Sequence, residues 1–216
     1  MKCIFLGPTG RNISNLTLST FSICPPVKRG DCLSIIQSHE PGLMVIVDGN
    51  FHQCLAVAHK EIILSIEAGW EVWGVSSMGA IRAAELNIAG MHGYGDIYER
   101  YKTDPDYRDD EVTLLHETCY PYRAVSEPMI HLQFALNELT AQKLLTKKEA
   151  MEVAGELRSM WFGDRNWNLM KTLIFNKVNS EIKRNKIVSI LENKTRFQKK
   201  QFDLTQFLES TPWEYQ

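Results

Sequence analysis

Three short apolar runs recur along the first third of the chain, and each stops at a turn. Residues 2–6 lead into Gly7-Pro8-Thr9-Gly10, residues 43–47 into Asp48-Gly49-Asn50, and Glu71–Val75 into Ser76-Ser77-Met78-Gly79. Runs that are β-rich and almost continuously apolar predict strands covered on both faces. Residues 20–24, stopped by Pro25-Pro26, are a fourth candidate. Helical patterns lie between them. Residues 55–68 carry apolar side chains at 55, 58, 62, 63 and 66, with Gly69 placed as a C-cap. Residues 78–89 are rich in strong helix formers and stop at Gly90. Strand and helix alternating at these lengths predict βαβ units and a parallel sheet, an α/β body of Rossmann-like or flavodoxin-like type.

The pattern changes near residue 105. Residues 103–111 are acidic and turn-rich, which predicts a surface loop, and residues 112–115 read as one more strand. After Ser126 the periodicity is helical almost to the end, and Thr146-Lys147-Lys148-Glu149 is a capping box opening a helix to about Met160. The expected division is an α/β core over 1–125 and a helical C-terminal region over 126–216.

The chain has 216 residues, 44% hydrophobic and 23% charged, enough for one domain with an appendage or two small ones. No apolar run approaches the roughly 18 residues of a membrane span. The N-terminal segment is broken by Gly7-Pro8 too early for a signal peptide, so a cytoplasmic location is expected. Five cysteines, an odd number without C-x-x-C spacing, argue against a disulfide framework and a zinc ribbon. The net charge is −2, yet residues 171–201 hold nine Lys and Arg against Glu181 and Glu192. That basic segment reads either as a solvated helix face or as a surface for an acidic partner. Its aromatics are sparse, so nucleic acid is not the expected partner.

Candidate chemistry centres on the strand-to-helix turn at Ser76 and Ser77. A serine there stands at the carboxyl edge of the sheet, where the first amides of the following helix favour negative charge. The Met78 and Gly79 amides are candidate oxyanion donors, and Gly79 allows close approach of a substrate. G-x-S-x-G is not met: Ser76 has Gly74 two before it and Ser77 has Gly79 two after it. Ser77 is the preferred nucleophile, with Ser76 read as a binding residue; a purely structural reading makes the pair a helix cap. His59 or Lys60, early in the preceding helix, would serve as base, and the order Asp48, His59, Ser77 matches one known triad order. Ligands bind outside the carboxyl ends of parallel strands, so Thr9, Asp48, Gly49 and His52 join the expected site. Arg82 and Glu85, at i and i+3, read as an ion pair or as a carboxylate-binding Arg with its partner. The spacing fits no P-loop, and the histidines lack tight metal spacing, so neither a cofactor nor a metal is expected.

FLGPT (5–9), PP..RGD (25–31), IVDGNFH (46–52), HKEI (59–62), SSMGAIRAAEL (76–86), AGMHGYGDIYE (89–99) and DDEV (109–112) together resemble the TfuA-like family. The resemblance implies an accessory role in backbone thioamidation of peptides beside a YcaO protein. The implied activity is sulfur supply by hydrolysis of a thiocarboxylated, ubiquitin-like sulfur-carrier protein, with a precursor peptide as a further partner. Ser77, with His59 or Lys60, and the Met78/Gly79 amides fit that acyl transfer. Two alternatives stay open at this point: a non-catalytic adaptor recruiting the sulfur donor or precursor to YcaO, and an unrelated serine hydrolase.

Overall fold

A computed structural model describes residues 1–11, 13–51 and 54–215. The described residues form two compact units that interleave along the chain. The first holds Met1–Asp109, Cys119–Tyr122 and Lys200–Gln216; the second holds Asp110–Thr118 and Arg123–Lys199.

The first unit is built on five strands: β1 (Lys2–Phe5), β2 (Ser22–Cys24), β3 (Leu43–Ile46), β4 (Glu71–Val75) and β5 (His92–Tyr94). They pair in the order β2-β1-β3-β4-β5, every pair parallel. The expected α/β class holds. β3 is buried along its whole length, and β1 and β4 at all but their first residue. That burial explains the near-continuous apolar runs. The helices of this unit are α1 (Asn15–Leu18), α2 (Asp31–Ser38), α3 (His59–Glu67), α4 (Met78–Glu85), α5 (Asp96–Thr103) and, from the far end of the chain, α10 (Lys199–Ser210).

Side chains alternate between the faces of the sheet. Ile4, Leu6, Val45, Val47, Trp73 and Val75 form one core with Leu204, Phe207 and Leu208 of α10. On the other face Gly74 meets α4 at the backbone: a Cβ on Gly74 would lie 2.0 Å from the Gly79 carbonyl oxygen. A Cβ on Gly79 would lie 1.8 Å from that of Ile46. The two glycines therefore let the first turn of α4 sit directly on β3 and β4.

Several expected boundaries shift for identifiable reasons. The helix expected over 55–68 starts only at His59, because the Glu61 carboxylate accepts the Ala58 N–H at 3.1 Å and closes the N-terminus there. Leu55, assigned to the apolar stripe, is instead 64% exposed. Gly69 does end α3, with φ of +87°. The helix expected over 78–89 stops at Glu85 and continues as a 3₁₀ turn, Asn87–Ala89, closed by Gly90 at φ +96°. Residues 112–115 form no strand. Leu115 accepts the Val125 N–H at 2.7 Å, and the local pairing ends in one antiparallel bridge, His116 to Ala124.

The second unit contains α6 (Met129–Ala141), α7 (Lys147–Ser159), α8 (Trp167–Lys177) and α9 (Glu181–Glu192) around a core that includes Leu132, Leu136, Val153, Leu157, Ile174 and Phe197. Thr146 and Glu149 make the expected reciprocal cap. Arg165 is fully buried, donating to the carbonyls of Leu157 and Asp110 and to the Asp110 carboxylate. Arg158 makes two hydrogen bonds to Glu111. No helix among the described residues is long and apolar enough to cross a membrane.

The glycines give a paired test. Gly79→Ala should cost at least about 3 kcal/mol, the upper end of the usual overpacking range, because backbone must move. Gly155→Ala, in the middle of α7 with open space around its Cα, should instead stabilise by about 0.4–1 kcal/mol. Urea-unfolding midpoints of the two variants check both signs.

Candidate functional site

Strand register sets the site. Phe5 lies opposite Ile46, Ile46 opposite Gly74, and Gly74 opposite Gly93. Two residues further along each strand, Gly7, Asp48, Ser76 and Gly95 reach the carboxyl edge at the same level. In this strand order β1 and β3 flank the topological switch point, where open α/β sheets bind ligands.

Asp48, the first residue beyond Val47, points into that switch point and is 2% exposed. Its Oδ2 accepts the Gly7 and Thr9 N–H groups, each at 2.9 Å, and its Oδ1 accepts the Thr9 hydroxyl at 2.6 Å. The Lys200 Nζ stands 3.8 Å from Oδ1, with both side chains 3% exposed. The structure thus brings Thr9 and Asp48 together, and adds Lys200 from α10. Gly49 follows Asp48, and a Cβ there would press on the Met78 side chain at 2.8 Å. His52 lies outside the described residues.

The Ser76-Ser77 turn is strained. Ser76 has φ of +67°, and the Ser77 N–H donates to the Val75 carbonyl at 2.8 Å, closing a three-residue turn. A non-glycine residue in this region costs about 1–3 kcal/mol. Ser76 is fully buried and its hydroxyl donates to the Lys200 carbonyl at 2.8 Å, which ties the turn to α10. Ser77 starts α4 without capping it. Ser77 is buried, 3% exposed, and its hydroxyl has no hydrogen-bond partner among the described residues. The Gly79 N–H donates to the Val47 carbonyl at 3.2 Å and is not available as an oxyanion donor. Met78 remains, its N–H in the first turn and without an intrahelical partner.

His59 and Lys60 are both exposed, and neither hydrogen-bonds Ser76 or Ser77 among the described residues. The His59 Nε2 instead meets the Glu85 Oε2 at 2.7 Å, the same oxygen that accepts from Arg82. Arg82 also donates to the Val57 carbonyl at 3.3 Å. Glu85 is therefore the hub of a His–Glu–Arg cluster linking α3 and α4. Glu61, two residues after His59, is buried and also accepts the Gly30 N–H at 2.6 Å, a clamp on the loop before α2.

Sequence reasoning missed the two charges of α10. Lys200 and Asp203 lie at i and i+3 on the stripe that continues through Leu204, Phe207 and Leu208, and all five are buried. A lysine and an aspartate on the core-facing stripe of an amphipathic helix were the signal. Asp203 accepts the Ile97 N–H at 2.9 Å in the first turn of α5, beneath Gly95 at φ +97°. The basic segment over 171–201 is correspondingly less free than its count suggests. Lys200 is buried, Lys177 pairs with Glu152 and Glu156, Arg196 pairs with Glu138, and Arg184 donates to the Val178 and Phe175 carbonyls.

Among the cysteines, burial pushes the Cys3 thiol up to about 12 and raises Cys32 further, so both stay protonated at neutral pH. Cys54 and Cys119 are exposed. No group of three or more potential metal ligands occurs among the described residues.

Asp48 should be a stability keystone. Asp48→Ala leaves two buried amides and a hydroxyl without their acceptor and removes the counter-charge 3.8 Å from the Lys200 ammonium, and should cost about 3–5 kcal/mol. A double-mutant cycle of Asp48→Asn with Lys200→Met, read by urea unfolding, should give a coupling of about 0.5–3 kcal/mol; additive costs would show that the two do not interact.

No curated protein matches the chain. A family model described as TfuA-like protein matches residues 48–166, more than half of the chain. The match takes in Asp48, α3, the Ser76-Ser77 turn, α4, the glycine-rich approach to α5, and the Asp110–Arg165 and Glu111–Arg158 pairs. That family supports a role in the thioamidation-associated pathway and implies association with YcaO-dependent systems. On the extent of this match, the chain belongs to the TfuA-like family.

Proposed function

We propose that the chain supplies sulfur for YcaO-dependent backbone thioamidation by hydrolysing the thiocarboxylated C-terminus of a ubiquitin-like sulfur-carrier protein. The observation that carries the reading is Ser77: a hydroxyl without a partner among the described residues, at the head of a helix, directly after a strained turn at the sheet's carboxyl edge. The other hydroxyls of the edge are committed, Thr9 to Asp48 and Ser76 to Lys200.

The reaction is acyl transfer. The Ser77 oxygen attacks the thiocarboxylate carbon while a base takes the serine proton. The C–S bond breaks, sulfide leaves with the electron pair, and an acyl-serine ester remains. Water then cleaves the ester, restoring the serine and releasing the carrier as a carboxylate. His59 or Lys60 is the base in this reading. Glu85 orients the His59 ring through Nε2. The Met78 N–H, aided by the first turn of α4, faces the developing oxyanion. Asp48 with Thr9 fixes the loop edges that border the carrier's tail, and Arg82 holds Glu85.

This reading is favoured over a purely electrostatic adaptor because at least four of the nine basic residues over 171–201 already have partners within the chain.

Ser77→Ala should lower sulfide release from a thiocarboxylated carrier by about three orders of magnitude or more, with an unchanged unfolding midpoint. Undiminished release would reject the serine. His59→Ala and Lys60→Ala, measured separately in the same assay, identify the base as the one whose loss lowers kcat by about a hundredfold or more.

A further inference from the structure

A second concavity lies on the other side of the β1 turn from Asp48. It encloses about 310 Å³, at the lower end of ligand-binding pockets, and lies wholly within the α/β unit. Leu6, Ile13 and Ile23 contribute its apolar lining, and Tyr120 and Tyr122 contribute aromatic walls. The Arg11 side chain is exposed at its margin and makes no ion pair among the described residues. Arg11 is the only charged residue of the lining among the described residues. An apolar chamber with a single cation fits a ligand that carries an apolar body beside a carboxylate.

The neighbouring sheet edge indicates which carboxylate. β2 is the terminal strand, and among the described residues no strand pairs with its outer side. Ile23 of β2 is 58% exposed. An extended chain adding to β2 in the parallel sense of every other pair would run toward Cys24 and Pro25. Both of these residues line the concavity. The C-terminus of such a chain would therefore arrive at Arg11, with its last side chain over Leu6 and Ile13.

We propose that this concavity is a peptide-binding site: it takes the free C-terminal end of an extended peptide whose last residue is large and apolar. Backbone pairing along β2 supplies affinity, the chamber selects the last side chain, and Arg11 reads the carboxylate. A tail ending in glycine leaves the chamber empty, so this site differs in ligand from the acyl-transfer edge and does not rest on that reading.

Calorimetry on the full chain tests it with four probes: acetyl-Ala-Val-Phe as free acid, the same peptide as C-terminal amide, acetyl-Ala-Gly-Gly as free acid, and N-acetylphenylalanine. The first should bind at least about tenfold more tightly than each of the others, the size of one charge-assisted hydrogen bond. Arg11→Gln should remove about tenfold for the acid and leave the amide unchanged. Because Arg11 is exposed, this variant keeps the fold. Equal binding of acid and amide, or N-acetylphenylalanine binding as tightly as the tripeptide, would overturn the proposal. Ser77→Ala should bind acetyl-Ala-Val-Phe as the unaltered chain does, so this site and the serine chemistry stand or fall separately.

Discussion

One buried carboxylate sets the geometry of the sheet's carboxyl edge. Asp48 is almost wholly withdrawn from water, and an ion in that position is stable only if donors replace its hydration. The donors, two amides and a hydroxyl, come from the turn after β1, and the Lys200 ammonium of α10 adds a counter-charge 3.8 Å away. Meeting that requirement fixes the path of residues 7–9, the end of β3 and the seating of α10 at once. The same helix then holds Ser76 in its strained turn through the Lys200 carbonyl and anchors the start of α5 through Asp203. A strained serine persists only where its surroundings over-determine it. Here they include a segment about 120 residues further along the chain.

The structure sorts the residues that carry the family resemblance by what they touch. Gly74 and Gly79 bring α4 onto the sheet. Glu61 closes the start of α3 and clamps the loop at Gly30. Asp110 and Glu111 neutralise Arg165 and Arg158 inside the helical unit. Gly93 clears the Tyr98 ring and Gly95 clears the Asp203 carboxylate. These roles are structural. Under the proposed function the chemistry falls to Ser77 and to the cluster of exposed His59 and Glu85 with the largely buried Arg82. A nucleophile at a helix head needs little more than a base and one or two amides, because the backbone supplies the electrostatics.

The two ends of the edge serve different ligands in this view. On the β3–β4 side lie Ser77 and the Met78 amide, suited to an acyl group with a developing negative charge. On the β1–β2 side lies a mainly apolar chamber with Arg11 as its one charge among the described residues, suited to a side chain and a carboxylate. The Gly7-to-Thr9 turn separates them, and its conformation is set by Asp48.

Periodicity alone was enough for the parallel sheet, the helix end at Gly69 and the Thr146 cap, because each depends on a few neighbouring residues. Thr9, Asp48 and the Ser76-Ser77 turn reach one edge as the strand ends imply, whereas His59, expected to converge there too, meets Glu85, and His52 lies outside the described residues. What the sequence could not determine depends on distant partners. Residues 112–115 look like a strand, but the pairing near them amounts to one hydrogen bond to Leu115 and the His116–Ala124 bridge among the described residues, and residues 55–58 look helical but are stopped by a carboxylate three residues on. The Gly79 amide looks available until the Val47 carbonyl claims it. Lys200 looks like part of a solvated basic run, yet it lies on the buried stripe of α10 beside Asp48. A local pattern records which face of a segment is apolar, whereas only the folded chain decides which distant charge or carbonyl that face meets.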